Sequence, residues 1–277
     1  LCPFGAGKVF LQMENVDMQT GKPIELHGKA VAGGKFPIIC TPLVGRTRDQ
    51  ILSELQLILA KKPDILEWRV DFFEGIGNPA EVISVAQSIR QAAGGIPLLF
   101  TRRSVKEGGE KISLAEEDVV ALYKAVCESR SVDIVDFEMS NDPAHIRHLR
   151  EVSKANDTKL ILSFHNFSFT PGLELLNQRF LEAEQLGADI AKVAVMPRNL
   201  EDVLTLLTAT LQSSQKLKIP LISMSMGGYG SLTRLFGWTF GSALTFAVGA
   251  SSSAPGQVPI EDLNTVLGIL QKSIAGK

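Results

Sequence analysis

Apolar positions along the chain alternate between short continuous runs and longer stretches with a period near 3.6. Eight short runs are rich in Ile, Val, Leu or Phe and are bounded by Gly, Pro, Asp or Lys. They are PIICTPLVG (37–45), DILEWRVDFF (64–73), IPLLFTRRS (96–104), VDIVDFEM (132–139), KLILSFHNF (159–167), ADIAKVAVMP (188–197), IPLISMSMG (219–227) and LTFAVGASS (244–252). Length, composition and boundaries predict a strand at each. The amphipathic stretches between them carry helix start signals. Thr47 to Gln50 and Ser113 to Glu116 fit the capping box, and Pro143 and Pro171 stand at first helical positions after Asp142 and Thr170. A last helix is predicted over about 259–275.

Eight strand–helix units in about 240 residues match the (β/α)8 barrel, or TIM barrel, in which parallel strands covered on both faces read as near-continuous apolar runs. A doubly wound sheet is the alternative, but it calls for a Gly-rich turn after the first strand, and Thr41-Pro-Leu-Val-Gly45 is no such turn. Residues 9–33 read as extended pieces around Gln19-Thr-Gly-Lys22, a β-hairpin closing one end of the barrel. The expected division is therefore a leader and hairpin over 1–34 and a catalytic barrel over 35–277.

Composition narrows the class. Hydrophobic residues are 45% and charged residues 21%, a globular mix, and a net charge of −2 gives no basic field for nucleic acid. Three cysteines, Cys2, Cys40 and Cys127, lack CxxC spacing, which suits a reducing, cytoplasmic setting over a disulfide framework. The N-terminal run LCPFGAGKVFLQMENVD has no signal-peptide pattern, and Met13 is a candidate native start behind a leader over 1–12. Leu235 to Ile260 carries no charge, but its glycines, serines and Pro255 argue against a membrane span.

In a barrel, alternate strand residues point inward and the active site forms at the C-terminal strand ends. That period of two aligns Glu67, Arg69 and Asp71; Thr101 and Arg103; Asp136 and Glu138; Ser163 and His165; Lys192, Ala194 and Met196; and Met224 and Met226. Buried charges cost several kcal/mol each unless paired or used. A structural ion-pair network accounts for any single pair, such as Glu67 with Arg69; the whole set converging at one end points to a site.

Lys192 is the sharpest signal, because it stands inside the apolar run Ile190-Ala-Lys-Val-Ala-Val195. Apolar surroundings disfavour an ammonium and make available a neutral amine, which attacks ketones to form Schiff bases. The structural reading of the same residue is a lysine paired with Glu67 or Glu138. His165, inward on the preceding strand, is the natural proton carrier.

These segments resemble the type I 3-dehydroquinate dehydratases (3-dehydroquinases) of the shikimate pathway, which serves aromatic amino acid biosynthesis. The likeness spans about 35–275 and rests on Glu67-Trp-Arg-Val-Asp71, Phe100-Thr-Arg-Arg-Ser-Val-Lys-Glu-Gly-Gly109, Asp136-Phe-Glu138, Ser163-Phe-His-Asn-Phe167, Lys192-Val-Ala, Ser223-Met-Ser-Met-Gly227 and Ser253-Ala-Pro-Gly-Gln257. The resemblance implies a lyase that dehydrates 3-dehydroquinate to 3-dehydroshikimate through an imine on Lys192, with no metal or organic cofactor. It implies His165 as proton shuttle and Glu107 as the group orienting it. Glu67 and Arg103 would hold ring hydroxyls, with Arg69 at the pocket. Arg234, with Ser253, Ala254 and Gln257 of the eighth loop, would grip the carboxylate. Met224 and Met226 read as an apolar wall. The family resemblance also implies a homodimer, with a small-molecule substrate and neither nucleic acid nor membrane as partner.

Arg102 beside Arg103 leaves the pocket arginine ambiguous by one place, and spacing to Glu107 favours Arg103. Gly227-Gly-Tyr-Gly230 reads either as a phosphate cradle, which a sugar-phosphate aldolase would use, or as a turn needing positive φ. His145 and His148 have a metal-like spacing, but no further donor completes a site. A non-catalytic barrel that binds small acids or a protein partner would bury His165, Lys192 and Glu107 at a cost without return.

Overall fold

A computed structural model describes residues 23–33 and 37–274 of the chain. Eight parallel strands curl into a barrel: β3 (Ile38–Leu43), β4 (Ile65–Arg69), β5 (Leu98–Thr101), β6 (Ile134–Glu138), β7 (Lys159–Asn166), β8 (Ile190–Val195), β9 (Leu221–Ser225) and β10 (Leu244–Val248). From β3 to β9 each pairs in parallel with the next strand in sequence, and β10 pairs with β3. The seam between β9 and β10 is thinner. It closes on a bridge between Leu221 and Ser242, helped by the Ser223 amide donating to Ser242 Oγ at 3.0 Å.

The helices, among the described residues, are α1 (Arg48–Leu59), α2 (Pro79–Ala93), α3 (Glu116–Glu128), α4 (Pro143–Ala155), α5 (Leu173–Gln185), α6 (Leu200–Ser214), α7 (Gly227–Phe236) and α8 (Ile260–Ile274). They pack the outward strand residues into a core in which Trp68, Phe100, Tyr123 and Phe137 stack edge to face around the barrel wall. Thr47 caps α1 and Asp142 caps α4 ahead of Pro143, as their sequences predict. Two start signals are corrected. Helix α3 begins at Glu116 behind Ala115, not at Ser113, and the Glu116 side chain pairs with Arg102 instead of closing a capping box; α5 begins behind Gly172, beyond Pro171. The charge-free stretch from Leu235 resolves into the end of α7, a 3-10 turn, β10, a loop and a two-residue strand, Val258–Pro259, paired in parallel with β10, and among the described residues no helix is long and apolar enough to cross a membrane.

A hairpin is present, with its two-residue turn at His27-Gly28. Strands β1 (Ile24–Leu26) and β2 (Lys29–Ala32) join through His27 and Gly28, both at positive φ as a two-residue hairpin turn requires. The turn expected at 19–22 lies outside the described residues. Val31 and Ala32 pack with Ile65, Leu99, Ile134, Ile161, Ile190 and Ile222, the apolar layer at the N-terminal end of the barrel. That end is thus filled by hydrocarbon, which leaves the opposite end for chemistry.

Candidate active site

Parallel register sets the depth of each inward side chain. Glu138 lies level with Ser163 and Ser163 with Lys192, while His165 lies level with Ala194 and Ala194 with Met224, one step nearer the mouth. Lys192 therefore sits deep, and it is 3% exposed. Its Nζ lies 2.7 Å from Oδ2 of Asp136 and 4.6 Å from the centre of the Phe246 ring. The surroundings are thus not simply apolar, as the sequence run implied, and the carboxylate partner is Asp136, not Glu67 or Glu138.

Asp136 is fully buried and fully used. Its Oδ1 accepts from Arg103 Nη2 at 2.8 Å and from Ser163 Oγ at 2.6 Å. Burial alone would raise its carboxyl, but Arg103, Lys192 and His165 outweigh burial and hold it far below the usual carboxylate range. Arg103 also donates through Nη1 to Glu138 Oε1 and Ser163 Oγ, and these carboxylates overcome the opposing effect of burial to keep its charge firmly in place. Arg102 leaves the site for Glu116, at 2.6 Å, which settles which of the two arginines faces inward.

Glu107 comes from a 3-10 turn, Val105–Glu107, capped by Ser104 Oγ. Gly108 follows at φ +84°, and a Cβ there would collide with the Phe167 ring. Glu107 Oε2 lies 2.8 Å from His165 Nδ1 and also accepts the His165 amide, while Oε1 accepts from Ser140 Oγ at 2.6 Å. Burial, then the neighbouring Glu138, push the Glu107 carboxyl up to about 7 against the pull of Arg103 and Ser140. Burial, followed by the cations Arg103 and Lys192, keeps the His165 imidazole well below its ordinary range, hence neutral.

On β4 the period of two runs only as far as Arg69, because residues Val70–Phe72 form a 3-10 turn. The turn folds Asp71 back onto Arg69 in a two-pronged pair, 2.8 Å at each contact. Glu67 remains inward, accepting from Thr101 Oγ1 at 2.9 Å. Arg234, from α7, is 2% exposed, and among the described residues no carboxylate pairs with it. Its guanidinium reaches only the carbonyls of Phe246 and Pro255 and the Met224 sulfur at 3.3–3.9 Å, Nε has no partner, and burial brings its pKa down to about 10.

The loop after β10 lies over this group. Arg69 Nη1 donates to Ser253 O at 3.2 Å, Arg234 Nη2 to Pro255 O at 3.3 Å, and the Gly227 amide to Pro255 O at 3.2 Å. Gln257 braces the loop from within, accepting from the Ser253 amide and donating to Ser253 Oγ. Gly227 is at φ +70° and its amide meets the loop carbonyl, so the turn reading holds there.

One cavity is lined by Lys192, His165, Glu107, Glu67, Arg69, Arg103, Met224, Met226, Arg234, Ser253, Ala254 and Gln257, the twelve residues that the family resemblance pointed to, while Asp71, Thr101, Asp136, Glu138, Ser163 and Met196 of the inward set are not among its lining. Phe246, Phe167, Ala194 and Gly108 complete the lining. Phe246 and Phe167 escaped the sequence reading although strand parity points to both: one follows Leu244 by two places, the other His165 by two. Ser140 gave no signal, since it reaches Glu107 from a different loop.

Fold and site together define a (β/α)8-barrel enzyme for a small molecule, with an amine, a histidine–carboxylate pair and an arginine turned to one cavity. Comparison with known proteins makes the class specific. The chain belongs to the type I 3-dehydroquinase family, whose model matches residues 39–274, and is accordingly a type I 3-dehydroquinate dehydratase. It is 69% identical over 257 residues to the 3-dehydroquinate dehydratase of Albidiferax ferrireducens, covering 93% of this chain and 97% of the relative. Among solved structures, the 3-dehydroquinate dehydratase of Geobacillus kaustophilus superposes with a TM-score of 0.90 at 47% identity, covering 92% of this chain and 98% of that one. The type I enzyme of Clostridium difficile, determined with covalent modified comenic acid, gives 0.87 at 39% identity, covering 92% and 99%.

Proposed function

We propose that the chain converts 3-dehydroquinate to 3-dehydroshikimate through a Schiff base on Lys192. The observation that carries this reading is the shared cavity: a buried amine, a neutral imidazole and an unpaired guanidinium face the same space. The guanidinium fork suits the substrate carboxylate, and seating it places the far side of the ring toward Lys192. Glu67, Arg69 and Arg103 meet the hydroxyls, the two methionines bound the ring, and the Ser253–Gln257 loop excludes water.

The Lys192 ammonium sheds one proton, its lone pair attacks the ketone carbon while the carbonyl π pair moves to oxygen, and the nitrogen gives up a second proton as that oxygen is protonated. The carbinolamine oxygen takes a second proton and leaves as water as the nitrogen pair forms the C=N bond. The iminium accepts the electron pair of the adjacent C–H bond when His165 Nε2 removes the proton. The resulting enamine expels the hydroxyl one carbon further on, and His165 returns the proton so that water departs. Water then hydrolyses the conjugated iminium, releasing product and amine, with one water lost overall. Glu107, ionised, accepts a hydrogen bond from Nδ1–H and leaves Nε2 with its lone pair toward the cavity. The covalently modified acid in the Clostridium difficile relative supports a covalent route.

The test is borohydride reduction during turnover with peptide mapping. A reduced adduct on Lys192, absent in Lys192→Ala, is the expected result; an adduct on another lysine, or none, overturns the reading.

A further inference from the structure

We propose that Asp136 is the counterion of the covalent intermediate, keeping the imine nitrogen protonated until product is released. This rests on the Schiff-base reading above and concerns a residue that the reading does not use. Two contacts on Lys192 Nζ carry it, the Asp136 carboxylate at 2.7 Å and the Phe246 ring face at 4.6 Å. An anion and a π face together favour a cation in a buried place. Neither contact involves the electron pair that bonds to substrate carbon.

Charge balance explains why such a partner is useful here. An ammonium and a ketone give a protonated iminium and water, so the nitrogen bears one positive charge both before the substrate arrives and after the imine forms. A fixed carboxylate serves both states without moving a charge through the buried network. Only the enamine leaves the nitrogen neutral, and Asp136 then loses the cation bound at its Oδ2 while Arg103 and Ser163 keep Oδ1. The carboxylate therefore favours the iminium on each side of the elimination, and in particular the step in which the enamine expels the hydroxyl. A neutral imine would be a poor electron sink.

Asp136 is suited to the task because it is a poor base. Arg103 Nη2 and Ser163 Oγ occupy Oδ1, at 2.8 and 2.6 Å, and its backbone carbonyl is held by Tyr123 Oη at 2.6 Å. The proton on nitrogen stays where it is. The other ionisable groups around the pair are Cys40 on β3, Glu67 and Arg69 on β4, Glu138 on β6 and His165 on β7. Glu107 stands beyond them, on the far side of His165.

The experiment follows the pH dependence of trapping. Enzyme saturated with 3-dehydroquinate is reduced with borohydride, which attacks the protonated iminium, from about pH 6 to about pH 9, and the Lys192 adduct is quantified. In the natural protein the yield should hold across the range. In Asp136→Asn it should fall on the alkaline side by about tenfold or more, with kcat falling in parallel. A purely structural role would lower both by one factor at every pH, and that outcome overturns the proposal.

A second measurement needs no variant. With the lysine side chains labelled with nitrogen-15, the imine nitrogen of the natural protein should keep a directly bonded proton at about pH 9. A deprotonated nitrogen there overturns the counterion while leaving the Schiff base standing. Failure of the natural protein to form any Lys192 adduct overturns both, so the two failures are distinguishable.

Discussion

One carboxylate oxygen of Glu107, Oε2, receives both the ring Nδ1 of His165 at 2.8 Å and the backbone amide of His165 at 3.1 Å. The imidazole is thereby held in position and tautomer by a single atom. When Glu107 is ionised, Nδ1 carries the proton and Nε2 is a base. When Glu107 is protonated, it donates to Nδ1 and the ring proton moves to Nε2, which can then no longer accept one.

A pH profile follows with a definite sign. Burial has pushed the Glu107 carboxyl up to about 7, so kcat should rise with pH through that region as the dyad loses its proton. Ser140 Oγ donates to Glu107 Oε1 and favours the ionised form. Ser140→Ala should therefore shift the acid limb upward by about half to one pH unit, since a neutral hydrogen bond is worth about 0.5–1.5 kcal/mol net. The alkaline plateau should stay unchanged; a profile identical to that of the natural protein would show that the contact does not tune the dyad.

The two central residues should differ in the depth of their loss. General acid–base help is worth about 10²–10⁴-fold, which is the fall in kcat expected for His165→Ala. Lys192→Ala removes the electron sink itself and should fall further, while substrate still binds through Arg234 and the hydroxyl contacts. Steady-state rates with equilibrium binding by calorimetry separate these effects. Equal losses in the two variants would count against the imine.

The loop over the cavity depends on one glycine. Gly256 is at φ +76°, and a Cβ there would run into the Gly227 carbonyl. Gly256→Ala should lift the loop from α7, loosening the Ser253 and Pro255 carbonyls from Arg69 and Arg234. KM should rise about tenfold with a smaller change in kcat, because the loop positions substrate and excludes water without touching the reacting atoms. An unchanged KM would mean that the loop is indifferent to binding.

Much of this site was legible because barrel strands obey a period of two and their C-terminal ends share one opening. Glu67, Arg103, His165 and Lys192 could be placed by parity alone, since each lies within a strand or just beyond its end. Parity failed where the strand stopped: Asp71 arrives through a 3-10 turn and folds onto Arg69, a bend that an apolar run cannot announce. It also gave no pairings across the barrel. Asp136 was recognisable as inward, but which of several carboxylates would meet Lys192 depends on register and on where Arg103 spends its two nitrogens. The hairpin turn at His27-Gly28 was missed for a similar reason. His27 stands at positive φ although it is not a glycine, and the packing of Val31 and Ala32 on the barrel's apolar layer is not a local signal as strong as Thr-Gly-Lys.

Arg234 offers the clearest separation of stability from function. It is a buried guanidinium with an unpartnered Nε and, among the described residues, no carboxylate, an arrangement that costs free energy until an anion arrives. Replacing it by an apolar side chain of similar length removes that cost. Arg234→Met should therefore unfold at the same temperature as the natural protein or higher in a thermal melt without substrate. Its KM should nevertheless rise about ten- to a hundredfold, the value of one charge-assisted contact at about 1.5–3 kcal/mol. Arg234→Lys should recover only part of the binding, because a single ammonium cannot meet both carboxylate oxygens. Added substrate should then raise the melting temperature of the natural protein much more than that of Arg234→Met. A variant that is both less stable and unchanged in KM would place this arginine among the structural residues of the barrel.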